Sequence, residues 1–324
     1  MRKLFLLSFL LLILPMLAKA DEVVNVDGIY YRLKFQNSWA QSAIVTSNPD
    51  KYSGKVVIPD SISYNGSNYP VIFIGENAFS GCTDLTSVVI PDRVSKIDKN
   101  AFSWCKNLTS IYIPDNVNEI GDYAFAYCEK LTSVRMPEKI MGNAVFGKDI
   151  FMKCFNLTSI TIPEGVHTIF DWTFADCWNL TTVKLPSSLT YIGKYAFKGC
   201  RELSSITIPN KVTEIGEKAF FGSGLTSVSI PNSVITIDET AFWWINELKT
   251  VTIGKGVKEI GSKAFAYCKN LTDFYCYATT PPSAVNIFES TPYQNATLHV
   301  PAASINNYKN TYPWKQFKNI VPLK

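Results

Sequence analysis

The sequence is poor in the residues on which most enzyme chemistry depends. Only 2 of its 324 residues are histidine, and neither His167 nor His299 has a partner at a catalytic or metal-ligating spacing. There is no Gly-rich phosphate loop, no nucleophile elbow and no C-x-x-C pair. Nothing therefore favours an enzyme, and neither a cofactor nor a metal is expected. Net charge is also low: the formal value is +4, and it falls to +1 once Arg2, Lys3 and Lys19 leave with the leader described next. A nearly neutral surface argues against nucleic acid as the main partner and against charge-driven attachment to a membrane. Beyond residue 20, no stretch approaches the roughly 20 apolar residues that span a bilayer.

The leader is the one long apolar run. Arg2 and Lys3 precede Leu4 to Leu17, and Ala18-Lys19-Ala20 offers an A-x-A cleavage site before Asp21. That order is the signature of a secretory signal peptide over residues 1–20. The mature chain is expected to be exported, secreted or associated with the cell surface. No cysteine follows the run, so a lipoprotein anchor is not expected.

The rest of the chain repeats itself. An apolar skeleton I-G-x-x-A-F-x-x-C-x-x-L-T-S-V-x-I-P recurs most often every 23 residues, with phenylalanines from Phe79 to Phe265 marking the register and prolines from Pro91 to Pro231 closing units. Such a period means a solenoid, in which each unit buries its apolar face only against its neighbours. In Leu85-Thr86-Ser87-Val88-Val89-Ile90-Pro91 the alternation marks a strand with one buried face. A short helix is expected to follow, with Gly or Asp (Gly75, Asp98, Gly121) as its N-cap. Stacked strands should form a parallel sheet.

Cysteine is plentiful but ordered. Seven of the eight, from Cys82 to Cys268, share one column of the repeat, which Ser223 and Ile245 occupy in two other units. A column tolerant of serine and isoleucine reads as buried packing by free thiols, not as a disulfide framework.

These L-x-x-V-x-I-P and A-F-x-x-C-x-x-L-T-S pieces resemble the BspA-like leucine-rich repeats, a family of exported and surface proteins. The resemblance implies a right-handed leucine-rich-repeat coil, a β-rich α/β solenoid of about nine ~23-residue repeats, and a binding or adhesion role. The expected boundaries are an N-terminal β cap at 21–58, the solenoid at 59–277 and a C-terminal cap at 278–324. Asp27-Gly28 signals a hairpin in the first cap, and Trp314 to Ile320 resembles the family's closing segment. A monomer is expected.

Candidate binding residues occupy positions the repeat leaves free. Tyr112 and Arg135 lie on the exposed sheet face, beside a column of hydroxyl residues from Ser87 to Thr250. Large aromatics sit at the edge near the cysteine column: Trp104, Tyr127, Phe155 and Trp178, together with Trp244 and Tyr267. The fourth unit is irregular, with 26 residues from Pro137 to Pro163 and the extra three within 141–145. It gathers Arg135, Phe155, Trp172 and Trp178 nearby. The leading expectation is a non-enzymatic exported protein that recognises a host or microbial macromolecule, either a matrix protein or a microbial surface. The alternative is a glycan-capture protein that uses the edge aromatics as stacking platforms.

Overall fold

Strands of three to five residues begin most coils, among them Leu85–Val89, Ser110–Tyr112, Ser133–Arg135, Ser159–Thr161 and Thr182–Lys184. Neighbours pair in parallel with the register of the repeat, so Ser133 faces Ser110, Val134 faces Ile111 and Arg135 faces Tyr112. Every side chain thus meets its own equivalent one coil away. The inward residues Ile111, Ile113, Ile160 and Ile162 are buried, while Ser110, Tyr112, Ser159 and Thr161 face outward. The same arrangement resumes at Ser227–Ile230, Thr250–Ile253 and Asp273–Cys276. Residues 203–208 form no strand, which separates the strands up to Lys184 from those from Ser227 onward, and Leu85–Val89 pairs with Gly54–Val57 in a two-stranded sheet of its own. The computed structural model describes residues 21–35, 41–138, 140 and 145–323. The expected leader at 1–20 and most of the insertion expected within 141–145 lie outside the described residues.

A second side of the coils carries two-residue parallel strands in two sheets: Lys96–Ile97, Glu119–Ile120 and Val145–Phe146 continue the sheet of the N-terminal strands, and a separate sheet runs from Thr168–Ile169 to Ser283–Ala284. One isoleucine or phenylalanine of each pair points into the core (Ile97, Ile120, Phe146).

The third side of each coil carries the A-F-x-x-C segment. It is a run of turns, not the helix expected from sequence, and the hydrogen bonds give the reason. Alternate N–H groups stay within the coil: Ala101 donates to Asp98 (3.2 Å), Ser103 to Asn100 (3.1 Å) and Cys105 to Phe102 (3.2 Å). The others cross to the next coil: Asn100 donates to Asp122 (2.9 Å), Phe102 to Ala124 (2.7 Å) and Trp104 to Ala126 (2.8 Å). A helix would direct every N–H along its own axis and leave the coils unlinked here. The turn run needs left-handed residues four apart, seen at Asn100 (φ 54°) and Trp104 (φ 63°). Gly121 is not an N-cap either; a Cβ there would lie 2.5 Å from the backbone nitrogen of Lys99, so glycine permits the coils to approach. Among the described residues the only α-helix is Ile305–Asn310.

Phenylalanines from this side stack along the core axis, from Phe79–Phe102 at 4.9 Å and 5° to Phe242–Phe265 at 5.2 Å and 2°. Full burial of each ring contributes about 1.5–3 kcal/mol, and parallel rings add about 0.5–1.5 kcal/mol per pair. The solenoid has about 11 turns, against the nine or so legible as repeats. Part of the excess lies where the motif has decayed: Phe288 continues the ring column 6.3 Å from Phe265, and Thr291 takes the place of the cysteine.

Both ends of the core are covered. Glu22–Val26 and Ile29–Phe35 form an antiparallel hairpin through Asp27 and Gly28, both with positive φ. Gln41–Val45 joins it, and Tyr52 stands on Phe79 at 4.7 Å. Ser61–Tyr64 and Ser67–Ile74 make a second hairpin through Asn65 and Gly66, which accounts for the extra length before Pro91. At the other end Thr297–Val300 and Asn319–Pro322 extend the sheet of longer strands. Trp314 is fully buried there and donates Nε1–H to the Pro282 carbonyl (3.1 Å).

Candidate functional site

The exposed face of the longer-strand sheet carries a shallow depression of about 760 Å³, lined by Tyr112, Arg135, Glu138, Thr161 and the hydroxyls of Ser110, Ser133, Ser159 and Thr182. In-register pairing brings Tyr112 and Arg135 side by side. The guanidinium carbon of Arg135 lies 4.7 Å from the Tyr112 ring centroid. Arg135 also forms an ion pair with Asp115 and donates to the Ile113 carbonyl at 3.3 Å. Hydrogen bonding to Arg135 holds the Asp115 carboxyl below the usual carboxylate range. The cation is therefore fixed at the rim of the depression, and Tyr112 remains half exposed beside it. Asp115 and Glu138 escaped the sequence reading because they lie in the loops after the strands, outside the columns that mark the sheet face.

The edge aromatics fall into three separate columns. Trp104 and Tyr127 stand immediately before the cysteine and stack at 3.9 Å and 7°. Phe155 and Trp178 stand immediately after it and stack at 4.2 Å and 28°. Trp172 belongs to the first left-handed position and stacks on Tyr195 at 4.0 Å and 10°. Cations rest against the same rings: Lys153 on Tyr127 (4.9 Å), Arg201 on Trp178 (5.0 Å), Lys198 on Trp172 (5.2 Å) and Lys218 on Tyr195 (5.2 Å). Rings in these ladders thus present faces to one another and to cations. Tyr195 was missed, although its separation from Trp172 equals one repeat.

Little else on the surface offers chemistry. No group of three His, Cys, Asp or Glu residues placed to hold a metal occurs among the described residues. His299 pairs with Asp273 (3.0 Å) and stacks on Tyr275 (4.1 Å), a partnership across neighbouring strands that linear spacing does not display. The cysteines are free and buried, and burial raises the thiol of Cys268 to about 12. Asp149, buried at the first left-handed position of the fourth unit, has its carboxyl raised to about 6, chiefly by desolvation.

The family model described as BspA type leucine rich repeat region matches in six copies, over residues 60–177, 144–272 and 190–312. Among solved structures, the chain is similar to a leucine rich cell surface protein from Faecalibacterium prausnitzii, with 25% identity and a TM-score of 0.58 over 95% of this chain and 96% of that one. It is also similar to a leucine-rich repeat protein from Eubacterium ventriosum, with 28% identity and a TM-score of 0.51 over 64% of this chain and 51% of that one. No curated protein matches the sequence. Among the described residues, no helix is long and apolar enough to cross a membrane.

Proposed function

Because the chain belongs to the BspA-type leucine-rich repeat family, we propose that it is a non-enzymatic cell-surface binding protein. It recognises a protein of a host matrix or a microbial surface through the sheet face around Tyr112 and Arg135. The observation that carries this reading is the depression in which a half-exposed tyrosine stands beside an arginine already immobilised by Asp115. Tyrosine and arginine are, with tryptophan, the residues enriched among those that dominate binding energy at interfaces. An arginine ordered before binding loses less side-chain entropy on association. The similar cell-surface protein from F. prausnitzii supports the location, as does the expected leader.

Capture of immobilised matrix proteins by the purified protein tests the reading. Tyr112→Ala and Arg135→Ala are expected to weaken capture by about tenfold or more, the effect of losing an interface anchor. Full capture by the folded double variant would place the interface elsewhere.

A further inference from the structure

One edge aromatic departs from the ladder arrangement. Trp244 is 53% exposed, and its one ring neighbour among the described residues is Phe221, met edge-on at 5.9 Å and 62°. Among the described residues no cation rests on it. The equivalent position one coil earlier is Gly222, and two coils earlier Gly199. A Cβ built on Gly222 would meet nothing within 4 Å. At the matching place beside Trp104, a Cβ on Gly81 would meet Lys51 Nζ at 3.8 Å. Elsewhere along the edge a partner ring lies 3.9–4.2 Å from its neighbour. At Trp244 that slot, one coil spacing of about 4.8 Å deep, receives no side chain from the equivalent residue, Gly222, and Phe221 of the same coil meets the indole only edge-on.

The surroundings restrict what could fill it. Asn246 and Glu247 follow Trp244 and are both exposed, and Tyr267 takes the same position one coil later. Phe221 and Trp243 occupy a column that holds buried Ser103, Ala126 and Ala175 in other coils. They pack together at 5.2 Å, and Phe221 in turn touches the Trp244 ring. An exposed indole followed in the chain by an exposed amide and an exposed carboxylate suits a ligand that is apolar on one face and hydroxylated at its rim.

We propose that Trp244, with Asn246 and Glu247 at its rim, is a stacking site for a pyranose ring of a glycan, which occupies the slot left open at Gly222. The ring takes the place that a neighbouring aromatic fills in the other ladders, while the two polar side chains receive and donate hydrogen bonds to its hydroxyls. This site rests on the reading of the chain as a binding scaffold but lies on a different side of the coil from Tyr112 and Arg135.

Titration of the purified protein with lactose, cellobiose, mannobiose and N,N′-diacetylchitobiose, followed by ligand-observed NMR, tests the site. At least one disaccharide is expected to bind, and Trp244→Ala to weaken it by about tenfold or more, as loss of a stacking platform does. Gly222→Tyr should fill the slot and block binding with the fold intact, because tyrosine already adopts the same backbone conformation at Tyr127 (φ 63°) and Tyr267 (φ 58°). Tyr112→Ala should leave sugar binding unchanged. Absence of binding to all four sugars, binding indifferent to both variants, or occupation of the site by N-acetyl-phenylalanine amide in preference to sugars overturns the proposal. Sugar binding lost while matrix-protein capture persists would uphold the sheet-face reading alone; the reverse would uphold this site alone.

Discussion

The thiol of Cys105 donates to the main-chain carbonyl of Phe79, in the preceding coil, at 3.1 Å. The same contact recurs from Cys128 to Phe102 (3.2 Å), Cys177 to Phe151 (3.1 Å) and Cys200 to Phe174 (3.2 Å). The cysteine column therefore does more than fill space: its S–H is a weak donor that adds a bond between coils to a carbonyl already accepting a main-chain N–H within its own coil, as Phe79 does from Cys82 (3.0 Å). Thr291 makes the same bond with a hydroxyl at 2.7 Å.

That geometry orders the substitutions at Cys128. Cys128→Ala removes both volume and donor and should cost about 1–3 kcal/mol. Cys128→Thr keeps a donor and should cost less. Equilibrium denaturation of the two variants checks the order; equal losses would show that the contact carries no weight beyond packing.

Thiol reactivity follows from the same burial. Native protein should react slowly with a thiol reagent at neutral pH, since burial drives the thiols upward in pKa and only the thiolate is nucleophilic. Denatured without reductant, the protein should reveal all 8 thiols counted in the sequence. Recovery of far fewer would mean that pairs had oxidised between coils.

The phenylalanine column supports a larger effect. Phe174 is fully buried and stacks between Phe151 at 5.6 Å and Phe197 at 5.4 Å. Phe174→Ala should cost about 3–5 kcal/mol. In a stack where coils contact only neighbours, the damage should be local first. Hydrogen exchange should rise around residues 147–200 before the hairpins at the N-terminus are affected.

The sheets, the ring column and the cysteine column were legible because each depends on side chains recurring at a fixed period. The turn run was not. Ala-Phe flanked by glycine resembles a short helix locally, and only the alternate N–H bonds between coils, as from Phe102 to Ala124, distinguish the two. Tertiary pairing settled what local propensity left ambiguous. At the edge, sequence showed that Trp104, Tyr127, Phe155, Trp172 and Trp178 were unusual but not which way their rings faced. Pairing by column would have revealed Trp172 with Tyr195, and it isolates Trp244, whose equivalent one coil earlier is a glycine. Thr291 and Phe288 escaped because they keep the role of the motif without its letters.

Asp149 gives the fold a pH dependence with a definite sign. Its carboxyl titrates near 6 in the folded chain and near 3.9 when unfolded. A raised folded value means that the native state binds the proton more tightly. The associated stabilisation is complete below about pH 4 and is lost as pH rises through about 6. Asp149→Asn should flatten the stability profile across that window, and thermal unfolding at pH 4, 5, 6 and 7 measures it. A profile unchanged by the substitution would mean that the carboxyl is better solvated than its burial implies.

The C-terminal end offers the sharpest test of how the stack is closed. Phe274 and Phe288 meet edge-on at 5.4 Å, and Trp314 lies 5.7 Å from Phe274. Tyr308, also buried, donates to the Ala278 carbonyl at 2.8 Å. An uncovered last coil would expose Phe274 and Phe265, on which these rings rest, and a free strand edge, the two features that promote aggregation. Trp314→Phe retains most of the apolar area but leaves the Pro282 carbonyl without its indole donor, and should cost about 1–3 kcal/mol. Trp314→Ala opens a cavity and should cost about 3–5 kcal/mol. Removal of the chain from Ala278 onward should bring aggregation or loss of cooperative unfolding, read by light scattering and denaturant titration. A truncated chain that stayed monodisperse and equally stable would show that residues 278–324 are a separate module and not the closure of the core.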